Sequence, residues 1–470
     1  MSDFVQKNAD LLHGSPFFSV LKFSVPMIIG DFCQQLYNAV DSMIVGQCVG
    51  KSALAALGIA GPIYSMVLFF LVGIAMGVGV VISQHFGARN LTRLKRAAAT
   101  GLVAGSLVSL LVAVGSIALS RPFLRWMNTP QELLDPTDTY LKIVYIGLFF
   151  SYVYNYYCFA IRAVGNVTVP LLFLIVSVIV NALLDLLFVP ALGMGVAGAA
   201  LATVLAQGLS AVLCIVYTQK RVSNLRLGWR ELRIDRTELG AVTSYGLSMS
   251  LQQVFVYVGR ISVQGLVNTY DVNTIAGVNA ATRTDALLQT PARGYTNALT
   301  TYCAQNWGAG NFERIRRGYL ASWIGVLAYT VIGTLLGILL ARPLTAMFVD
   351  GGEVEVIAVG EQFVRVMATG YLFMCIIVQS QSFMKGIGLL KCFFASTAIS
   401  ILFRIGFSYL FEHIWGLQGM YWAVPASWVI GGTYGIIVSA IGYRVRCNPA
   451  RMCKREHAQE NVENPQNLTE

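Results

Sequence analysis

The chain has 470 residues, of which 56% are hydrophobic and only 12% charged. Its mean hydropathy of +0.64 excludes an ordinary soluble domain, in which about a quarter of residues are charged. The formal net charge of +10 would point to nucleic acid in a soluble chain; here the positions of the basic residues give it another meaning.

Apolar blocks of the length needed to cross a bilayer core recur along the whole chain. In chain order, spans are expected near 20–45, 54–82, 98–120, 139–161, 170–190 and 196–218, then near 240–267, 275–303, 318–340, 359–384, 391–412 and 417–441. A β-barrel is excluded, because its strands would be short and would alternate in polarity. The polar N-terminus carries no signal-peptide core, so no processing is expected. Nine cysteines, most of them inside apolar blocks (Cys33, Cys158, Cys214, Cys375), do not read as a disulfide framework. The spacing of Cys447, Cys453 and His457 in the basic tail fits no standard zinc pattern.

With the N-terminus inside, basic residues gather in one set of loops. They include Arg89, Arg93, Lys95, Arg96, the run from Lys220 to Arg236, Arg314, Arg316, Arg317 and the tail. The opposite loops mix Lys51, Arg121, Arg125, Arg342 and Arg365 with acids. This asymmetry orients a membrane protein with both termini cytoplasmic. The positive charge is then topological, and nucleic acid is not an expected partner.

The halves repeat. QHFGARNLTRLKR (Gln84 to Arg96) matches QNWGAGNFERIRR (Gln305 to Arg317), 221 residues on. The same shift carries Arg121-Pro122 onto Arg342-Pro343 and Gly195 onto Gly416. Six spans per half make the repeat parallel, with a pseudo-twofold axis along the membrane normal. The expected fold is an all-α polytopic membrane protein: twelve transmembrane helices in two pseudo-twofold-related six-helix bundles. Residues 1–218 form the first bundle, 219–238 a cytoplasmic linker, 239–445 the second bundle and 446–470 a cytoplasmic tail.

A few polar residues interrupt this hydrocarbon. Asn181 and Asp185 lie four residues apart and share a helix face. Asp185 is roughly 8 Å inside the outer end of the fifth span, at about 1.5 Å per residue. Asp41 in the first span and Thr203 in the sixth lie at overlapping depths. Two carboxylates, an amide oxygen and a hydroxyl suit Na⁺ as hard oxygen ligands. Equally, two nearby carboxylates in low dielectric cannot both ionise easily, and the pair becomes a proton carrier. Asp31, Gln34, Asn38 and Asp41 form a polar stripe on the first span. Ser151, Asn155, Cys158 and Arg162 form another on the fourth, and Gln207 extends the face of Thr203. Gln34, Asn38, Asn155 and Gln207 are the candidate substrate-cavity residues. Pro26 removes a backbone hydrogen bond within the first span and is the candidate kink. In the second half, positions equivalent to Asp41 fall near Gly259 and Arg260, and Asp185 has no counterpart. Arg260, Arg283, Asp285, Arg293 and Arg404 stand there instead, and a structural ion pair of Asp285 with Arg283 or Arg260 is expected.

These segments resemble the multidrug and toxic compound extrusion (MATE) family, in its DinF-like branch, over about residues 15–445. The resemblance rests on FSVPMIIG (Phe23 to Gly30), YNAVDSMIVG (Tyr37 to Gly46), IRAVGN (Ile161 to Asn166), NALLDLLFV (Asn181 to Val189) and GVAGAALAT (Gly195 to Thr203). QHFGARN, ATRTDALLQTPARG (Ala281 to Gly294) and QNWGAGN extend it. It implies a V-shaped cavity between two six-helix bundles and export of cationic or amphipathic drugs driven by inward H⁺ or Na⁺. It also implies a cation site at Asp41, Asn181, Asp185 and Thr203. The branch with an acidic seventh span is not matched, because Gln252 and Gln253 stand there.

The leading function is therefore cation-coupled antiport of small organic compounds in a prokaryotic inner membrane, by a monomer with no cofactor beyond the coupling ion. A flippase for lipid-linked saccharides is the alternative; its more basic cavity is not evident in the sequence. An enzyme is not expected, since none of the four histidines pairs with a nucleophile or a metal cluster. ATP-driven pumping is not expected either, because no phosphate-binding GxxxxGK[ST] loop is present.

Overall fold

The computed structural model describes residues 11–48, 51–349 and 353–447, with side chains described outside 36–55. In chain order the helices are α1 (Pro16–Cys48), α2 (Lys51–Gly87), α3 (Leu91–Trp126), α4 (Gln131–Ile146), α5 (Leu148–Ala163), α6 (Thr168–Leu186) and α7 (Gly195–Arg221). After two short 3₁₀ turns follow α8 (Arg236–Val267), α9 (Val272–Gly308), α10 (Phe312–Leu339), α11 (Ala341–Ala346), α12 (Val354–Gly386), α13 (Leu390–Trp415) and α14 (Leu417–Arg446). Helices dominate because a segment in hydrocarbon must satisfy every backbone polar group internally. Carboxylates and amides start several of them. Asn90 accepts from Arg93 N at 3.0 Å, Asp235 from Thr237 N at 2.9 Å and Asp271 from Thr274 N at 3.1 Å. These caps satisfy the orphan N–H groups of the first turn. Hydrogen bonds from Thr237 hold the Asp235 carboxyl below the usual carboxylate range.

Nine helices among the described residues are long and apolar enough to cross a bilayer, and α4 with α5 adds a tenth span. The two long helices left over are α8 and α9. They complete twelve spans but carry Arg260, Asp285 and Arg293, so their composition is unusually polar for lipid. The fourth span differs from the single helix expected at 139–161. It bends by 43° between α4 and α5, at Gly147, where an added Cβ would lie 2.8 Å from the Val204 side chain. The fifth span ends in a π-helical turn, Leu187–Ala191, that contains Pro190. Through Pro26, α1 runs as one helix.

The first helix of each half crosses to the other half. Val20, Phe23 and Met27 of α1 pack into a core with Ala292, Tyr295 and Leu299 of α9. Tyr245 and Met249 of α8 pack with Val80 and Val81 of α2. Small residues permit the close approach. An added Cβ on Gly73 would lie 2.5 Å from Ser250 Cα, and one on Gly294 would lie 2.6 Å from Ile28 Cγ1. Gly73 and Gly294 are equivalent in the repeat.

The face bearing the linker is sealed by a symmetric latch built from the repeated Gln-x-x-Gly. The Gln84 side chain donates to the Gly386 carbonyl at 2.9 Å and to Tyr245 Oη at 2.7 Å. Its equivalent, Gln305, donates to the Ala163 carbonyl at 2.8 Å. The glycines sit against the partner glutamines: a Cβ on Gly87 would lie 1.8 Å from Gln305 O, and one on Gly308 would lie 1.8 Å from Gln84 O. Beside the latch, Glu238 bonds His85 at 2.8 Å and pairs with Arg93 at 3.7 Å. Overpacking of this kind costs about 1–3 kcal/mol. Gly308→Ala is therefore expected to lower the thermal unfolding midpoint in detergent. Gly115→Ala, with nothing within 4 Å of the new Cβ, should leave it unchanged; equal midpoints for the two variants would contradict the latch.

Candidate functional site

The fifth span places Asn181 and Asp185 on one face of α6, turned inward, while Ile179, Leu183 and Leu186 on other faces are exposed. Asn181 is 1% exposed and Asp185 0%. Against that face pack α7 and α1. In the orientation that satisfies its neighbours, the Asn181 amide donates to Asp185 Oδ2 at 3.0 Å and accepts from the Thr203 backbone N–H at 3.3 Å. The buried Thr203 hydroxyl donates to Ala199 O at 3.0 Å. Asn181, Asp185 and Thr203 therefore form one buried cluster between α6 and α7. Asp41 is on the adjoining α1, but its side chain lies outside the described residues, as does that of Asn38.

The donor set is chemically suited to a small cation. A carboxylate, an amide oxygen and a hydroxyl are hard oxygen donors that fit Na⁺. A proton meets the same requirement, because a carboxylate removed from water is tolerated only when its charge is compensated. The π-helical turn begins two residues after Asp185. Such turns leave backbone bonding locally irregular and often mark sites in use.

A second polar group lies in the same half. The Ser151 hydroxyl donates to Gln207 Oε1, Gln207 Nε2 donates to Tyr64 Oη at 3.4 Å, and Asn155 donates to Ser151 O at 2.8 Å. Asn155 and Gln207 thus share one network across α5 and α7, and Gln34 on α1 is exposed. Tyr64 on α2 escapes sequence reading because an isolated tyrosine in an apolar run has no periodic signal.

In the second half, Asp285 does not pair with Arg283 or Arg260. Tyr371 Oη donates to its Oδ1 at 2.8 Å and Gln289 Nε2 to its Oδ2 at 2.7 Å. Gln289 in turn accepts from Arg293 Nη2 at 2.7 Å. Asp285, Gln289 and Arg293 recur every four residues on α9, so they form a relay along one face. The expected ion pair is replaced by neutral donors because Tyr371, on α12, reaches the carboxylate first. The four-residue step from Asp285 is the signal that could have found Gln289, whereas Tyr371, a buried tyrosine on another span, has none.

Two lobes of repeated helices crossing a membrane, each with its own buried polar cluster, define a polytopic transporter. The MatE family profile matches the chain twice, over residues 26–187 and 248–410, which begin at nearly the spacing of the repeated motifs. The chain belongs to the MATE family of multidrug efflux transporters. It is 25% identical over 416 residues to the probable multidrug resistance protein YpnP of Bacillus subtilis, covering 88% of this chain and 92% of that protein. It is 20% identical to the multidrug export protein MepA of Staphylococcus aureus over 80% of each chain. Among solved structures, an outward-facing multidrug resistance MATE transporter superposes with a TM-score of 0.88, at 22% identity over 94% of this chain and 98% of that one. A MOP superfamily transporter from Pyrococcus furiosus gives 0.89 at 22% identity, over 94% and 99%.

Removing the Asn181 amide leaves a buried carboxylate short of a donor, which costs about 1–3 kcal/mol. Asn181→Ala is expected to lower the thermal midpoint in detergent more than Asn155→Ala does. The reverse order would contradict the assignment of Asn181 as the internal partner of Asp185.

Proposed function

We propose that this chain is a cation-coupled antiporter that exports cationic or amphipathic small organic compounds by alternating access, driven by inward H⁺ or Na⁺. The observation that carries this reading is the buried Asn181, Asp185 and Thr203 cluster within one lobe of a two-lobe transporter. Asp41 on α1 completes the proposed set. A charge enclosed at such depth is expensive unless it serves transport.

The coupling runs through α1. This helix packs on α6 and α7, which carry the cluster, and its Val20, Phe23 and Met27 belong to the core of the second lobe. Neutralising Asp185 by H⁺ or Na⁺ removes the reason for α1 to hold its packing there. Pro26, within the stretch that packs on the second lobe, supplies the kink. Movement of α1 then loads the seam at Ile28 and Gly294 and loosens the Gln84 and Gln305 latch. With the basic linker face cytoplasmic, the latched form opens outward. Residues 1–218 and 239–445 move as the two units, joined by 219–238. The transporter works as a monomer in a prokaryotic inner membrane, needs no cofactor beyond the coupling ion, and takes its substrate through the space lined by Gln34, Asn38, Asn155 and Gln207. A saccharide-lipid flippase is less well supported, because the named relatives are multidrug proteins.

Efflux of ethidium or norfloxacin from everted vesicles, with H⁺ and Na⁺ gradients imposed separately, tests the reading. At least one gradient is expected to drive efflux, and Asp185→Asn and Asp41→Asn should each abolish the response while leaving protein in the membrane. Gradient-driven efflux retained in full by both variants would overturn it.

A further inference from the structure

The second lobe and the seam carry cations that the coupling site does not use. Arg162 on α5 and Lys385 on α12 line one cavity at the seam with Ser83, Asn297 and Thr300. They are equivalent positions of the repeat: IRAVGN (Ile161 to Asn166) aligns with MKGIGL (Met384 to Leu389), so each lobe contributes one cation. Each rests on an aromatic ring, Arg162 over Phe159 at 5.6 Å and Lys385 over Phe393 at 5.7 Å. Arg260, Arg293 and Arg404, from α8, α9 and α13, stand within electrostatic reach of one another, and Asp31 is within reach of both Arg293 and Arg162. Arg260 lies over Tyr257 at 5.7 Å, and Tyr257 stacks at 5.3 Å on Phe69 of the first lobe. Arg404 lies over Trp428 at 5.7 Å.

These charges are not balanced within the protein. Among the described residues, none of the five cations is in a salt bridge within 4.0 Å. The buried Nε atoms of Arg162 and Arg404 have no hydrogen-bond partner. Arg293 and Arg404 each feel the repulsion of Arg260. The carboxylates within electrostatic reach are Asp285, whose oxygens are taken by Tyr371 and Gln289, and Asp31, which is within reach of both Arg162 and Arg293. Four guanidiniums and an ammonium thus face two carboxylates. Arg260 and Arg293 remain solvent-accessible, so their charges are open to a ligand.

We propose that this space binds the acidic group of an amphipathic organic anion, with Arg260, Arg293 and Arg404 as the principal contacts and Arg162 and Lys385 as a positive floor. A guanidinium stacked on a ring keeps its N–H edge free, and that edge matches a carboxylate, phosphate or sulfonate in a forked pair. The aromatic faces and Met27 and Met76 beside the floor accept the apolar body, the usual composition of a ligand pocket. A permanent cation would meet repulsion at the same place. The proposal rests on the antiporter reading of the two-lobe fold, and among its amphipathic substrates it singles out those bearing an acidic group, as norfloxacin does and ethidium does not.

The test is equilibrium binding to the full chain in neutral detergent, with no ion gradient, using dansylglycine and dansylcholine as fluorophore-matched probes of opposite charge. Dansylglycine is expected to bind about tenfold more tightly or better, as one charge-assisted contact allows. Arg260→Gln and Arg293→Gln should each weaken it about tenfold, and Arg260→Lys should restore most of the loss. Arg260 makes no hydrogen bond among the described residues, so its variants keep the fold, which the thermal midpoint checks. Displacement by benzoate marks a soluble anion as the ligand, and displacement by lysophosphatidate alone marks a lipid headgroup. Displacement by neither, equal binding of the two probes, or unchanged binding in both glutamine variants would overturn the proposal. Because binding is read without an ion gradient, dansylglycine binding with no gradient-driven efflux counts against antiport alone, and gradient-driven efflux with no charge-selective binding counts against this site alone.

Discussion

A carboxylate with no exposed surface cannot stand uncompensated at membrane depth, and Asp185 is such a carboxylate. Its placement explains the local architecture. The face of α6 that bears Asn181 and Asp185 must turn inward, so Leu183 and Leu186 turn outward. Helix α7 must approach closely enough for the Thr203 N–H to reach the Asn181 amide. The run of small residues at the start of α7, Gly195 to Ala200, makes that approach possible. Here a lone acid in an apolar span sets the packing of its half of the molecule.

The duplicated fold carries unduplicated chemistry. Both lobes keep the scaffold, and the latch at Gln84 and Gln305 is repeated almost bond for bond across the pseudo-twofold axis. Backbone conformation repeats too: Gly195 and Gly416 adopt φ values of 56° and 61°, in the left-handed region that glycine reaches without strain. Only the first lobe holds the Asn181, Asp185 and Thr203 cluster. The second lobe holds an acid already satisfied by neutral donors, surrounded by arginines. The buried acid of the first lobe is met by an amide, and that of the second by a tyrosine and a glutamine with Arg293 behind the glutamine. Helix α1 packs on α6 and α7 and, through Val20, Phe23 and Met27, within the core of the second lobe, so it is the element able to join the two.

Much of this was legible in the sequence, for identifiable reasons. A four-residue step placed Asn181 and Asp185 together, and counting from span ends matched Thr203 to them in depth. The repeated QxxGAxN segments revealed the duplication because glycines in tight contacts tolerate little change. Other features were hidden by their chemistry. Gly147 bends the fourth span, yet a single glycine in an apolar run reads as continuous helix. Asp285 was assigned a charged partner, whereas a tyrosine and a glutamine hold it, and neutral donors leave no trace in a charge pattern. Lys385 lies near a loop and reads as an ordinary boundary charge. Its equivalence to Arg162 is masked because the repeat shift differs by two residues there. The electrostatic proximity of Arg260, Arg293 and Arg404 emerged only when three separate spans were brought together.

The central claim is that a cation at Asp185 sets the arrangement of the two lobes. Spin-label distances across the linker-face seam, measured in lipid nanodiscs as pH and Na⁺ are varied separately, test it most directly. The native chain should shift its distance distribution with one of the two ions, and Asp185→Asn should stay in one distribution under all conditions. An Asp185→Asn variant that shifts as the native chain does would contradict the claim.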